Sequence, residues 1–332
     1  MTPHPRPLPD GVTLREATRS DVPALFRLLQ AEEVASAGET SLVVSEVEHW
    51  FDSERSLERG MTRALQRDGA LVGVWRLYRN LDNKYWVQIA IDRRLPAGTV
   101  DELWRAGLGW LENAALAAAD SLGVAQPRLE LWAYEDDTLT RRCAEAAGFE
   151  QSRCFIEMQL DLAGYAAPQS GPQVTIRRAV IDGPDDADLH TMHDVITESF
   201  RDHFDFQLRP FDDWVQNRLD DPLNDFGHWY FAELDGVVVG ALIGHNAYLE
   251  VDDAGYIANL GVLREGRGRG VAKALLHTSF TRYATEGRRA VKLHVDAESP
   301  TGATHLYEAV GMHRRLVGFD YFKWPRGNPG PA

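Results

Sequence analysis

Arg267-Gly268-Arg269-Gly270-Val271-Ala272 is the stretch on which the reading of this 332-residue chain turns. It follows an apolar, strand-like run, Tyr256-Ile257-Ala258-Asn259-Leu260-Gly261-Val262. It leads into a run in which Val271, Ala274, Leu275 and Thr278 share one helical face. A loop of this kind leaves backbone N–H groups unpaired at a helix N-terminus, where the peptide dipoles also favour negative charge. Gly268 and Gly270 let an anion approach the backbone because no Cβ stands in the way. Arg267 adds a charge-assisted contact from the side. The physical reading is a pyrophosphate cradle, and the plainer alternative is a Gly/Arg-rich surface turn.

The loop lacks the Gly-Lys-Ser/Thr ending of mononucleotide loops, since Lys273 comes too late. It also lacks the third glycine and the acidic strand end of the dinucleotide fingerprint. Downstream, Leu293-His294-Val295-Asp296-Ala297 reads as a strand and Glu298-Ser299-Pro300-Thr301-Gly302 as a turn. Ala303, Leu306, Tyr307 and Val310 then fall at helical spacing before Gly311-Met312.

These two motifs, in this order, resemble those of the GNAT acetyltransferases, and the resemblance covers Val174 to about Lys323. It implies that Arg267, Gly268, Arg269, Gly270, Val271 and Ala272 hold the pyrophosphate of acetyl-CoA. It further implies a wedge between splayed strands, where the pantetheine arm pairs with backbone at Leu260, Gly261 and Val262. Ser299 stands where many members carry an asparagine that binds the same arm. Tyr307, in Leu-Tyr-Glu, is placed near the sulfur.

Composition bounds the rest. The length favours two domains. A hydrophobic fraction of 44% with 26% charged residues is that of a soluble globular protein. No apolar run reaches membrane-spanning length, and Met1-Thr2-Pro3-His4-Pro5 lacks a secretory pattern. Two cysteines, Cys143 and Cys154, argue against a disulfide framework and for a reducing cytoplasm. No His/Cys/Asp cluster has metal-ligand spacing, so no metal is expected. A formal charge of −15 argues against a nucleic-acid partner.

The chain contains itself twice. Val12-Thr13-Leu14-Arg15-Glu16-Ala17 recurs as Val174-Thr175-Ile176-Arg177-Arg178-Ala179. Asp68-Gly69 recurs as Asp235-Gly236, each a hairpin turn, and Ala144-Glu145-Ala146-Ala147-Gly148-Phe149 recurs as Tyr307-Glu308-Ala309-Val310-Gly311-Met312. The stretch Gly164 to Pro172 between the copies is a linker by composition. The expected architecture is α/β, with two tandem GNAT-like domains, 1–166 and 167–332, each a mixed twisted sheet flanked by helices.

Only the second copy reads as catalytic. In place of the cradle the first offers Arg93-Arg94-Leu95-Pro96-Ala97-Gly98-Thr99-Val100-Asp101-Glu102. Pro96 removes an N–H, and Asp101 and Glu102 would repel a pyrophosphate. Ala144 stands where Tyr307 would be. Arg93 and Arg94 keep a residual phosphate-binding reading beside that of a solvated basic turn. A non-catalytic copy offers a surface for packing, for closing the acceptor cleft or for a homodimer contact, with Trp104, Trp110 and Trp132 as candidates beside a plain core role.

Acyl transfer from a thioester to an amine needs a proton for the departing thiolate, and Tyr307 suits that role as general acid. The alternative is a tyrosine that anchors its helix by one hydrogen bond. Many relatives carry a glutamate on the strand before the cradle, but Tyr256-Ile257-Ala258-Asn259 has no carboxylate. Asp252, Asp253, Glu198, His203 and His245 remain as base candidates, beside a water chain. The segment Glu198 to Leu219, rich in aromatics and carboxylates, reads equally as an acceptor pocket for an amine or as two amphipathic helices.

The tandem architecture resembles that of the mycothiol synthases within the family. The function expected is transfer of acetyl from acetyl-CoA, the only cosubstrate called for, to a primary amine of a small molecule. The alternatives are acetylation of a cysteinyl sugar amine of the mycothiol type, or a non-catalytic acyl-CoA-binding module.

Overall fold

The computed structural model describes residues 7–52, 61–81, 83–168, 174–183, 186–201, 206–298 and 302–328. The first half of the chain runs β1 (Val12–Glu16), α1 (Val22–Ala37), α2 (Val44–Asp52), β2 (Thr62–Arg67), β3 (Ala70–Leu81), β4 (Lys84–Ile91), α3 (Ala97–Leu122), β5 (Arg128–Tyr134), α4 (Thr138–Ala146) and β6 (Glu150–Asp161). The second half repeats the order: β7 (Thr175–Arg178), α5 (Ala187–Phe200), α6 (Phe211–Leu219), β8 (Asn224–Leu234), β9 (Val237–His245), α7 (Leu249–Asp252), β10 (Ala254–Val262), α8 (Val271–Thr285), β11 (Ala290–Asp296), α9 (Ala303–Ala309) and β12 (His313–Lys323).

Two compact units result, each with a mixed sheet. The first holds β1-β2-β3-β4-β5 and then β12, with only β4 and β5 parallel. The second holds β7-β8-β9-β10-β11 and then β6, with only β10 and β11 parallel. The hairpin turns repeat to the degree, since Asp68 and Asp235 both have φ 51° and Gly69 and Gly236 both have φ 79°. That pair of left-handed residues matches the twist of the strands it joins.

The units do not divide at 166/167. They comprise Met1–Cys154 with Leu316–Ala332, and Phe155–Arg315. Each copy's last strand closes the other copy's sheet: Gly318 to Lys323 pair with Tyr134 to Leu129, and Phe155 to Asp161 pair with Asp296 to Ala290. A sheet edge asks only for a backbone of the right length, so duplicated edges accept either copy's final strand. Of the linker, Tyr165 is held in the second unit, its hydroxyl 2.8 Å from His277 Nδ1 and its ring edge-on to Phe280. Residues 169–173 lie outside the described residues.

The first unit's core centres on Trp75, Tyr85, Trp104, Trp110 and Leu111. Trp104 and Trp110 are therefore core residues, each 2% exposed. Gly107 makes room for Trp75, because a Cβ there would lie 2.5 Å from the indole Nε1. In the second unit Leu189 and Met192 of α5 and Trp214 of α6 pack with Trp229, Phe231 and Ile243. A buried side chain of this size contributes about 1.5–3 kcal/mol by leaving water.

On β10 the strand alternation is broken by a bulge between Ile257 and Asn259. Gly255 consequently faces Tyr283 of α8, whereas Gly261 faces Ile196 and Ser199 of α5. Without the extra residue both glycines would point to the same side of the sheet.

Candidate active site

The parallel pairing of β10 and β11 runs only from Ala254 opposite Ala290 to Tyr256 opposite Lys292. Both strands continue, to Val262 and Asp296. They diverge into the wedge that the resemblance implied. A cleft of ≈ 820 Å³ opens there, lined by Leu260, Gly261, Val262, Arg267, Gly268, Gly270, Val271, Ala272 and Tyr307 among the expected residues. Arg269 is exposed and does not line it, and Ser299 lies outside the described residues.

The cradle has the conformation an anion site requires. Gly268 and Gly270 have φ of 73° and 81°, in the left-handed region that disfavours residues with a Cβ. Gly270 is the N-cap of α8, and no side chain caps the helix. The bond from Ala274 N–H to Gly270 C=O, 3.0 Å, opens the helical ladder. The N–H groups of Val271, Ala272 and Lys273 precede it and point out of the helix end. Arg267 Nε donates to Val262 C=O at 3.3 Å, which lays its guanidinium along the loop.

Tyr307 sits in the last turn of α9, 8% exposed. Burial pushes its phenol up to about 12, so the group is protonated throughout the neutral range. Its backbone C=O accepts from Met312 N–H at 3.0 Å and Val310 N–H at 3.2 Å, closing the helix. Among the described residues no hydrogen bond to its hydroxyl is found.

The named base candidates lie elsewhere. Asp252 pairs with Lys292 at 2.5 Å and Asp253 with Arg288 at 3.3 Å. Glu198 pairs with Arg201 at 2.9 Å on the surface, and His245 Nε2 stands 2.8 Å from Asp221 Oδ2. His203 lies outside the described residues. Of the segment 198–219, Ser199 and Phe200 line the cleft. Phe211 stacks on His190 with ring centroids 3.7 Å apart, and Trp214 packs on Trp229. Asp212 and Asp213 are solvated, so that part reads as amphipathic helix.

Three groups in the cleft escaped the sequence reading. Lys273 lines it one turn into α8. Ser199 Oγ is buried against Gly261 with no hydrogen-bond partner among the described residues. His294 of β11 also lines it, with Nδ1 3.1 Å from the Tyr256 hydroxyl and Nε2 3.7 Å from Glu157 Oε2. Glu157 is 4% exposed and also meets Lys292 at 3.4 Å, Arg315 at 3.0 Å and the Tyr248 hydroxyl at 3.4 Å. The available signal was the polar alternation of Lys292 and His294 within an otherwise apolar strand. Tertiary structure alone supplies Glu157, which comes from the other copy's sequence.

The first unit repeats the divergence. Pairing of β4 with β5 stops at Trp86 opposite Glu130. Its loop, however, is shorter. Asp92 N–H bonds to Val72 C=O as Leu263 N–H does to Val239 C=O, and Leu95 N–H returns to Asp92 as Gly266 N–H does to Leu263. Pro96 then caps the helix at once, where the second copy interposes Arg267-Gly268-Arg269 before Gly270. Arg93 is bound by Glu32 at 2.9 and 2.5 Å and by Asp137 at 3.0 Å, while Arg94 pairs with Asp92 at 2.7 Å. Both arginines thus already have carboxylate partners. Asp101 pairs with Arg142 at 2.6 Å.

Among the described residues no group of His, Cys, Asp or Glu is arranged to hold a metal, and no helix is long and apolar enough to cross a membrane.

Comparison with known proteins agrees with this geometry. Residues 189–312 match the model of the acetyltransferase (GNAT) family. A mycothiol acetyltransferase of Frankia alni is 29% identical over 248 residues, covering 70% of this chain and 72% of that one. Among solved structures, a GCN5-related N-acetyltransferase from Sphaerobacter thermophilus superposes with TM-score 0.81 at 26% identity, over 97% of this chain and 98% of that one. A tandem GNAT protein from the clavulanic acid biosynthesis pathway superposes with TM-score 0.65 at 14% identity, over 96% and 99%.

Proposed function

We propose that this chain, residues 189–312 of which match the GNAT acetyltransferase family, uses its second unit to move the acetyl group of acetyl-CoA to a primary amine of a small molecule by direct attack. The observation that carries the reading is the convergence of three features on one cleft. They are an uncapped helix N-terminus, a pair of diverging strands with free backbone edges, and a phenol whose hydroxyl no described residue claims.

The pyrophosphate is held by the N–H groups at the start of α8, with Arg267 and Lys273 supplying positive charge. The pantetheine arm pairs with the β10 backbone at Leu260, Gly261 and Val262. The amine lone pair attacks the thioester carbon, the C–S bond breaks, and the thiolate takes the Tyr307 proton. A phenol kept protonated by burial suits this task, since it has a proton to give at every pH near neutrality.

The first unit lacks the cradle and the phenol and takes no part in the chemistry. The relatives named mycothiol acetyltransferases make a cysteinyl sugar amine of that type the first acceptor to test. The test is thiol release from acetyl-CoA across a panel containing that amine, simple primary amines and water. Turnover dependent on an amine supports the reading. Saturable acetyl-CoA binding without turnover on any amine would make the chain a binding module instead.

A further inference from the structure

We propose that the proton leaving the acceptor amine passes through the Tyr256 hydroxyl to His294 Nδ1, with Glu157 compensating the charge that results; this rests on the acetyltransferase reading above. The strand before the cradle holds no carboxylate, yet the reaction must remove one proton from nitrogen. The cleft wall holds one connected set of groups able to take it. Tyr256 on β10 stands 3.1 Å from His294 Nδ1 on β11, and His294 Nε2 faces Glu157 on β6 at 3.7 Å. His294 lines the cleft, with the Tyr256 hydroxyl, itself a neighbour of Tyr307, on its Nδ1 side and the Glu157 carboxylate on its Nε2 side, where a negative charge steadies a protonated imidazole.

The charged neighbours found among the described residues are these. Lys292, on His294's own strand, lies beside Glu157 and Asp252. Arg315 bonds the other side of Glu157, and Tyr248 closes the set with its hydroxyl on Glu157 and its ring 6.5 Å from His294. Burial, with Lys292 adding to it and Glu157 opposing it, holds the imidazole below its ordinary value and therefore neutral at rest. Burial, Glu157 and then Tyr307 push the Tyr256 phenol up to about 12. Tyr256 therefore relays a proton rather than ionising by itself.

The step balances. As the amine nitrogen bonds to the acyl carbon, its proton goes to the Tyr256 oxygen and the Tyr256 proton goes to Nδ1. The C–S electron pair leaves with sulfur, which takes the Tyr307 proton. His294, with 31% of its side chain exposed, returns its proton to water, and Tyr307 regains one.

The experiment measures kcat and acetyl-CoA Kd against pH for wild type, His294→Gln and Tyr256→Phe, using cysteamine and glucosamine as amines. The expected result is an acid limb in wild type below the usual histidine value of 6.5. Each variant should lose about 10²-fold or more in kcat and lose the limb, with Kd unchanged. Wild-type kcat in either variant overturns the relay. A second measurement needs no turnover: the His294 imidazole titration, followed by NMR in the resting protein, should fall further in Glu157→Gln. Tyr256→Phe, which leaves every ion pair in place, should also shift it. An imidazole that titrates unchanged in both variants overturns the relay. Absence of amine-dependent turnover in wild type, with those NMR shifts present, would overturn the acetyltransferase reading and not the contacts.

Discussion

Arg93 and Glu32 form a two-bonded ion pair in the first unit, at 2.9 and 2.5 Å, just beyond β4, whose pairing with β5 stops at Trp86 opposite Glu130. The ion pair neutralises the arginine best placed to meet a phosphate, and Asp137 engages it further. Calorimetry on the intact chain is therefore expected to give one acetyl-CoA per chain, and Arg93→Ala should leave its affinity unchanged. Two equivalent sites would contradict this.

Gly270→Val should weaken acetyl-CoA binding tenfold or more. The residue has φ 81° and nothing within 4 Å of an added Cβ, so the branched side chain projects into the open space that the proposed pyrophosphate would enter. A left-handed β-branched residue also costs about 1–3 kcal/mol. Kd by calorimetry, with a melt to record the stability loss, checks both effects.

Tyr307→Phe should leave both Tm and acetyl-CoA affinity near wild type while kcat falls by about 10²–10⁴. Loss of an anchoring bond would instead show as roughly 1 kcal/mol of stability. A variant that melts lower and turns over normally would remove Tyr307 from the chemistry.

Gly255→Ala tests a packing that only the folded chain displays. Its Cβ would fall 2.6 Å from three atoms of the Tyr283 ring, which is fully buried and stacks on His228 with centroids 4.3 Å apart. The ring has no room to retreat, so about 1–3 kcal/mol of destabilisation is expected. An unchanged denaturation midpoint would show that the ring can move.

Acid should weaken the β1–α1 corner. Asp21 receives both Arg15 guanidinium nitrogens, at 2.7 and 2.6 Å, and the Arg15 bond holds its carboxyl down to about 2 against an ordinary 3.8. A depressed folded value means that the stabilisation is complete above 3.8 and is lost as pH falls toward 2. Asp21→Asn should be less stable than wild type at neutral pH, and the gap should close over that window. A gap independent of pH would refute the linkage.

The left-handed glycine loop before α8, the repeat and the Tyr307 helix were legible in the sequence because each rests on local chemistry. Glycines at 268 and 270 permit a left-handed turn, Asp-Gly permits the hairpin, and helical spacing brings Tyr307 to one face. The division into units was not legible in this way. Strands β6 and β12 carry the expected pattern, but a strand's pattern does not name the edge it joins, and each closes the other copy's sheet.

What the sequence by itself determined, then, is the fold class, the duplication, and which copy keeps the cradle and phenol. All three follow from residue type and short-range spacing. Tertiary structure alone decided that β10 and β11 part after Tyr256, that a bulge turns Gly261 toward Ser199, and that Glu157, Tyr256 and His294 form one cluster. Those relations depend on register and on contacts between residues far apart in the chain. No periodicity in either segment records them.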